Sequence, residues 1–186
     1  MRFAIYERAR WVPRRELMTA SADPGGELVD VVDEEDRVVA TVSRREIRER
    51  NLLHRCTYVL LRNASGEILV HRRTDSKDVH PRAYDVFAGG VCAPGESYDD
   101  CARREAAEEL GVEGAPLEFR FRHRYRGMAG RAWGAVYEVR WDGTVRHQES
   151  EVAWSAWVAP AELARMLREL PFCSDSREIF ERLRVL

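Results

Sequence analysis

Apolar residues fall in short runs along most of the chain, separated by turn-forming residues. Leu28–Val32 and Val38–Val42 flank the polar stretch Asp33–Asp36, which predicts two short strands joined by a turn. Ser43-Arg44-Arg45-Glu46 has capping-box spacing and starts a short helix to about Arg50. Cys56–Arg62 is an apolar run suited to a buried strand, Asn63–Gly66 a turn, and Glu67–Arg73 a returning strand. Residues 74–83 are polar, contain Pro81 and read as a loop; Tyr84–Ala88 is a short strand running into Gly89-Gly90. Ser97 caps a helix that stops at Gly111, where glycine permits the left-handed conformation. Strands near 117–126, 132–141 and 152–158 follow, then helices near 160–169 and 175–184. Strands and helices mix without regular βαβ alternation, so the expected class is α/β in the α+β sense, a mixed sheet flanked by helices.

The 186 residues suit one domain with a little to spare. Residues 1–26 read as an N-terminal extension ending in the breaker Asp23-Pro24-Gly25-Gly26, and residues 27–186 as the domain. Thirty basic and 32 acidic residues give a net charge of -2. That balance excludes a generally basic nucleic-acid coat or polybasic membrane surface, and argues against nucleic acid as the main partner. Lys77 is the only lysine, so a single arginine in this chain carries little information. The charged first ten residues lack the apolar core of a secretory signal, and no apolar run is long enough to span a membrane. Cys56, Cys92, Cys101 and Cys173 form no C-x-x-C pair; reduced thiols and a cytoplasmic location are expected.

The chemistry is concentrated in the segment from Gly89 to Val112. On its helix, Glu105, Glu108 and Glu109 stand at i, i+3 and i+4 and project from one face. Three carboxylates within one turn repel each other, and a hard divalent cation such as Mg²⁺ or Mn²⁺ relieves that repulsion by accepting oxygen ligands. Glu96, before the helix, and Arg104, within it, are placed to pair and fix the loop against the helix. Gly89-Gly90 permits close backbone approach, and Ala102, Ala106 and Leu110 at i, i+4 and i+8 pack the helix onto the sheet.

Read from Gly90, the fixed residues are Gly90, Glu96, Arg104, Glu105, Glu108, Glu109 and Gly111. Their spacing resembles the Nudix box, Gly-x5-Glu-x7-Arg-Glu-aliphatic-x-Glu-Glu-x-Gly-aliphatic, with small Ala106 at an aliphatic place as the one soft departure. The resemblance implies a Nudix-like mixed β-sheet sandwiched between α-helices, with the box as loop–helix–loop. It also implies a divalent-metal-dependent hydrolase of a P–O–P bond in a nucleoside diphosphate derivative or related small diphosphate. Carried over by position, Glu105, Glu108 and Glu109 are metal ligands, with the Gly89 carbonyl as a further candidate, and Arg104 orients Glu105. Family members often add a downstream acid; Glu149 and Glu151 are available, and Glu151, just before the last strand, is preferred. Glu105, Glu108 or Glu151 is the candidate base, and spacing does not choose among them.

The stretch from Arg72 to Gly90 also resembles the branch that includes type 1 isopentenyl-diphosphate isomerase, in which an Arg-x-x-x-Lys pair contacts the substrate diphosphate. Arg73 and Lys77 match it, and His54 falls where the isomerases carry a metal-binding histidine, although a histidine beside a strand start is more often structural. The isomerases' catalytic cysteine and nearby histidine correspond to Gly89 and Val91 here, with Cys92 out of register. Hydrolysis is therefore expected over isomerisation; an isomerase-like enzyme and a non-catalytic nucleotide-binding module are the alternatives. Phe119–Arg126 alternates Phe119, Phe121, His123 and Tyr125 with four arginines and predicts a half-buried strand with a solvated basic face. The sharper reading has one arginine on a substrate phosphate, or Tyr125 or Trp133 stacked on a base. A homodimer, with residues 1–26 on the partner subunit, is left open.

Overall fold

The computed structural model describes residues 24–77, 79–127 and 130–184. Residues 1–23, most of the expected N-terminal extension, lie outside the described residues. In chain order the elements are β1 (Leu28–Val32), β2 (Val38–Ser43), α1 (Arg44–Glu49), β3 (His54–Arg62), β4 (Ile68–Arg73), β5 (Tyr84–Asp85), β6 (Phe87–Ala88), α2 (Tyr98–Leu110), β7 (Glu118–Gly127), β8 (Gly130–Arg140), β9 (Val152–Val158), α3 (Pro160–Glu169) and α4 (Ser174–Leu183). Local chemistry explains the helix ends. The Ser43 and Ser97 hydroxyls accept the amides of Glu46 and Asp100, and Gly111 closes α2 at φ 66°. Pro160 opens α3, where its missing N–H costs nothing.

The apolar run of β3 reflects burial on both faces. Tyr58 and Leu60 join Ile68, Val70 and Val136 against Leu163 of α3 and Ile179 and Phe180 of α4. Val59 and Leu61 point the other way, with Leu69, Ala135 and Tyr137, onto Cys101, Ala102, Ala106 and Leu110 of α2. The sheet is thus sandwiched between α2 and the α3–α4 pair. It is mixed: β3 runs parallel to β8 from His54 opposite Ala132 to Arg62 opposite Arg140, while β7–β8, β4–β9 and β1–β2 are antiparallel.

Two expectations need correction. The strand expected at Tyr84–Ala88 is two short pieces interrupted at Val86, because the buried Asp85 carboxylate accepts the Phe87 amide at 2.9 Å. In β7 the register shifts between Phe119 and Phe121, so the two rings do not share a face. Phe121 lies in the core under α4, whereas Phe119 is exposed and meets Tyr137 edge-on at 5.7 Å.

The β1–β2 hairpin is held to the body by acids of its turn. Asp36, at φ 64°, accepts Arg55 Nε at 2.7 Å, the Tyr98 hydroxyl at 3.0 Å and Arg122 Nη1 at 2.6 Å. Glu34 pairs with Arg124, Arg126 and Arg131. The expected basic face of β7 is therefore largely neutralised within the chain. Asp36→Ala leaves a phenol and two guanidinium groups without their shared acceptor and puts a Cβ-bearing residue with no polar side chain at positive φ. A loss of about 1–3 kcal/mol is expected, or a melting temperature lower by several degrees. Asp36→Asn, which tolerates that backbone and keeps one acceptor oxygen, should lose less; equal thermal melts for the two variants would remove the clamp role.

Candidate active site

Helix α2 carries the site on the side facing the Gly89–Gly90 turn. Close approach requires both glycines. A Cβ on Gly89 would lie 2.0 Å from the Thr57 carbonyl oxygen, and one on Gly90 would lie 2.5 Å from a Glu105 carboxylate oxygen. The turn is tied to the helix directly, since the Gly89 amide donates to Glu109 Oε2 at 3.2 Å.

Arg104 organises the carboxylates around it. Its Nε and Nη2 grip both oxygens of Glu96 at 2.9 and 3.0 Å, and its Nη1 donates to Glu105 Oε1 at 2.7 Å and Glu108 Oε2 at 3.1 Å. Glu96 is itself fixed by the Ala93 amide at 2.8 Å. Burial alone would raise the Glu96 pKa, but the Arg104 guanidinium and the Ala93 amide outweigh it and hold the carboxyl below its usual range. The balance reverses for the inner pair. Burial pushes Glu105 up despite Arg104. Burial and the nearby Glu105 charge push Glu109 up to about 7, against the Gly89 amide and Lys77. Glu108 stands at the exposed end of the group.

The loop after β4 reaches the same place. Lys77 forms an ion pair with Glu151, and Glu105 and Glu109 act on its charge too; burial and Arg73 nevertheless lower its pKa. Arg73 Nε donates to the Val79 carbonyl at 3.3 Å. The fold therefore brings Lys77, Glu151, Glu105 and Glu109 together, with Arg73 at their margin. Glu149 is exposed in the preceding loop. Among the described residues no three His, Cys, Asp or Glu side chains converge as a ready cation cage; Arg104 and Lys77 sit among the carboxylates. The donor set nevertheless fits a hard cation, being all oxygen with two buried, mutually repelling glutamates.

Other candidates fall elsewhere. Tyr125 is buried with its hydroxyl 2.8 Å from Ser174 Oγ, so it offers no ring to a base. His54 donates from Nδ1 to the Leu52 carbonyl at 3.0 Å, a structural contact. Cys92 is buried among the α2 core residues, and its thiol pKa is pushed far up by its contact with Cys101 and by burial. An open cavity of about 500 Å³ between the start of α2 and β7–β8 includes Arg55, Tyr98, Phe119 and Arg122 in its wall but none of the helix glutamates. Sequence reasoning passed over Asp85, which is buried, accepts Ser176 Oγ at 2.6 Å and lies close enough to raise the Glu109 pKa. An acid inside the apolar run Tyr84–Ala88 was the available signal.

A mixed sheet between helices, bearing a loop–helix–loop with this glutamate and arginine pattern, defines a hydrolase of the Nudix type, which acts on phosphoanhydrides. The chain belongs to the Nudix family: the NUDIX domain profile matches residues 52–183. It is 48% identical over 169 residues to an uncharacterised Nudix hydrolase of Streptomyces coelicolor, covering 90% of this chain and 92% of that protein. It is 39% identical over 150 residues to the Nudix hydrolase YfcD of Escherichia coli K12, covering 81% and 82%. The crystal structure of DR0079 from Deinococcus radiodurans superposes with a TM-score of 0.72 at 32% identity, over 84% of this chain and 98% of that one. Among the described residues no helix is long and apolar enough to cross a membrane.

The raised Glu109 pKa sets a sign for stability. The folded state holds this proton more tightly than the unfolded chain, so in chelator Glu109 costs stability progressively as pH rises from about 4.5 to about 7. Glu109→Gln removes that share: the variant should gain on the wild type across this window in thermal melts. Parallel pH–stability curves for the two proteins would mean that Glu109 is not held in this way.

Proposed function

We propose that the chain is a Mg²⁺- or Mn²⁺-dependent hydrolase of a P–O–P bond in a nucleoside diphosphate derivative or a related small diphosphate. The observation that carries this reading is the single connected group in which Glu96 and Arg104 fix Glu105, while Glu109 bonds the Gly89 amide beside Lys77 and Glu151. Glu105, Glu108 and Glu109, with the Gly89 carbonyl and Glu151, would hold the cation. A divalent cation supplies positive charge for phosphate oxygens and lowers the pKa of a bound water.

The protein's own contribution starts with Arg104, which keeps Glu105 in one orientation. Glu105 or Glu108 accepts the proton of the attacking water, with Glu151 as the third candidate. Lys77 and Arg73 bind the outer phosphate, whose oxygens compete with Glu151 for the ammonium. Isomerisation of isopentenyl diphosphate is disfavoured because Gly89 has no side chain to move a proton and Cys92 is buried as a thiol. The four free, buried cysteines support a reducing, cytoplasmic setting.

Incubation with Mg²⁺ and a panel of nucleotides, sugar nucleotides and isoprenoid diphosphates should give cleavage at a P–O–P bond, with solvent ¹⁸O in a phosphate product. Glu108→Gln and Glu109→Gln should each lose about 10²–10⁴-fold in kcat while remaining folded. Arg73→Ala and Lys77→Ala should mainly raise KM for diphosphates. Cys92→Ser should keep substantial activity, and solvent deuterium should not enter isopentenyl diphosphate. Full activity in excess chelator, or deuterium incorporation lost in Cys92→Ser, would overturn this reading.

A further inference from the structure

A lysine on a loop normally ends in water. Lys77 does not: only 21% of its side chain is exposed, its ammonium pairs with Glu151, and Glu105 and Glu109 lie close enough to act on its charge. These three carboxylates are among the groups proposed to hold a cation. An ammonium and a divalent cation on the same carboxylates exclude one another, by volume and by like charge. Arg104 does not compete in this way, because its bonds run to Glu96, Glu105 and Glu108 and leave the side of Glu109 and Glu151 to Lys77.

The loop that carries Lys77 is pinned at both ends. The Thr74 amide donates to the Glu151 carbonyl at 3.1 Å, and the Thr74 hydroxyl to the Ser150 carbonyl at 2.9 Å. Arg82 closes the loop on Asp75 through two parallel bonds of 2.7 and 2.6 Å. His80 and Arg82, on either side of Pro81, hold φ at 50° and 63°, values that residues with a side chain seldom adopt. A backbone fixed in this way leaves the flexible stem of the lysine as the moving part. The tie from Thr74 to Glu151 keeps a displaced ammonium within reach of the site.

We propose that Lys77 is the exchangeable counter-ion of the site: its ammonium neutralises Glu105, Glu109 and Glu151 until a divalent cation takes those oxygens, and cation binding sends the ammonium out to the substrate phosphate. The proposal rests on the cation-binding reading of the site and adds an order to it, cation first and diphosphate second. Before the cation binds, the phosphate-binding lysine is engaged by Glu151. By linkage, cation and diphosphate favour each other's binding.

Because Lys77 is the only lysine, labelling with ¹³C-lysine gives a single side-chain ε-methylene resonance that needs no assignment. The full chain, first stripped with chelator, is titrated with Mg²⁺ by NMR and in parallel by calorimetry. The expected resonance starts displaced from that of a solvated lysine and moves to the solvated position with the calorimetric midpoint. Lys77→Met should tighten Mg²⁺ binding by about tenfold. Lys77→Arg, which keeps the charge but grips Glu151 through a fork, should weaken it; repulsion through space alone would leave this variant equal to the wild type. The wild-type resonance decides the question even where a variant misfolds. A lysine already solvated in chelator, or one that stays in place while calorimetry shows Mg²⁺ binding, overturns the exchange and leaves the cation reading standing. No binding of Mg²⁺ or Mn²⁺ by calorimetry removes the cation reading, and this proposal with it.

Discussion

Arg104 is the charge on which the site depends. Without it, Glu96, Glu105 and Glu108 would face one another around a partly buried loop, and each would have to take a proton or turn away. One guanidinium holds all three because its donors lie in a rigid planar fork: two grip Glu96, and one nitrogen divides between Glu105 and Glu108. A lysine could neutralise the same charge but could not fix three acceptors in three directions. The guanidinium also reaches the Val91 carbonyl at 3.4 Å, which ties the loop after Gly90 to the same centre. The position of the helix, the path of the loop and the orientation of Glu105 are therefore set by one side chain.

This arrangement is possible only because α2 lies close to the sheet. Its apolar inward face is made of Tyr98, Cys101, Ala102, Ala106 and Leu110; the three between the end residues Tyr98 and Leu110 are small, and small side chains shorten the distance between helix and sheet. Ala106, where the box pattern has a larger aliphatic residue, fits this packing. Close approach in turn presses the Gly89–Gly90 backbone against Thr57 on one side and Glu105 on the other, and neither position has room for a side chain. The price of the fit is that Glu105 and Glu109 are largely buried, which raises both pKa values. The Gly89 amide and Lys77 return part of the charge stabilisation that burial removes.

What was legible in the sequence follows from range. Caps and periodicity are local, so Ser43, Ser97 and Gly111 marked helix ends correctly, and the double-sided burial of β3 showed as an unbroken apolar run. Glu105, Glu108 and Glu109 were legible from their i, i+3 and i+4 spacing on the helix, whereas Gly90 and Glu96, in the loop before it, were legible through the resemblance to the Nudix box. The departures have non-local or single-residue causes. The side chain of Asp85 captures a ladder amide and splits a strand, and one extra residue in β7 turns Phe119 away from Phe121. The arginines of β7 looked like a free basic row because their partners, Glu34 and Asp36, lie about ninety residues earlier. No spacing rule connects them. The pairing of Lys77 with Glu151 was hidden for the same reason: each residue was singled out, but in separate segments.

The identity of Lys77 carries a final physical argument. In a chain otherwise confined to arginine, the one lysine stands where the loop after β4 meets the carboxylate group. An arginine there would keep its charge under any conditions and would hold Glu151 through two parallel hydrogen bonds. An ammonium is a compact charge with freely rotating donors. Burial and the neighbouring Arg73 already lower its pKa, while Glu109 and Glu105 sustain its charge. Its bond to Glu151 is single and can be exchanged for another oxygen at little geometric cost. Under the proposed function the position balances buried glutamates and releases its partner to an incoming phosphate, which favours that chemistry over the guanidinium used at Arg104, where the requirement is to hold three acceptors still.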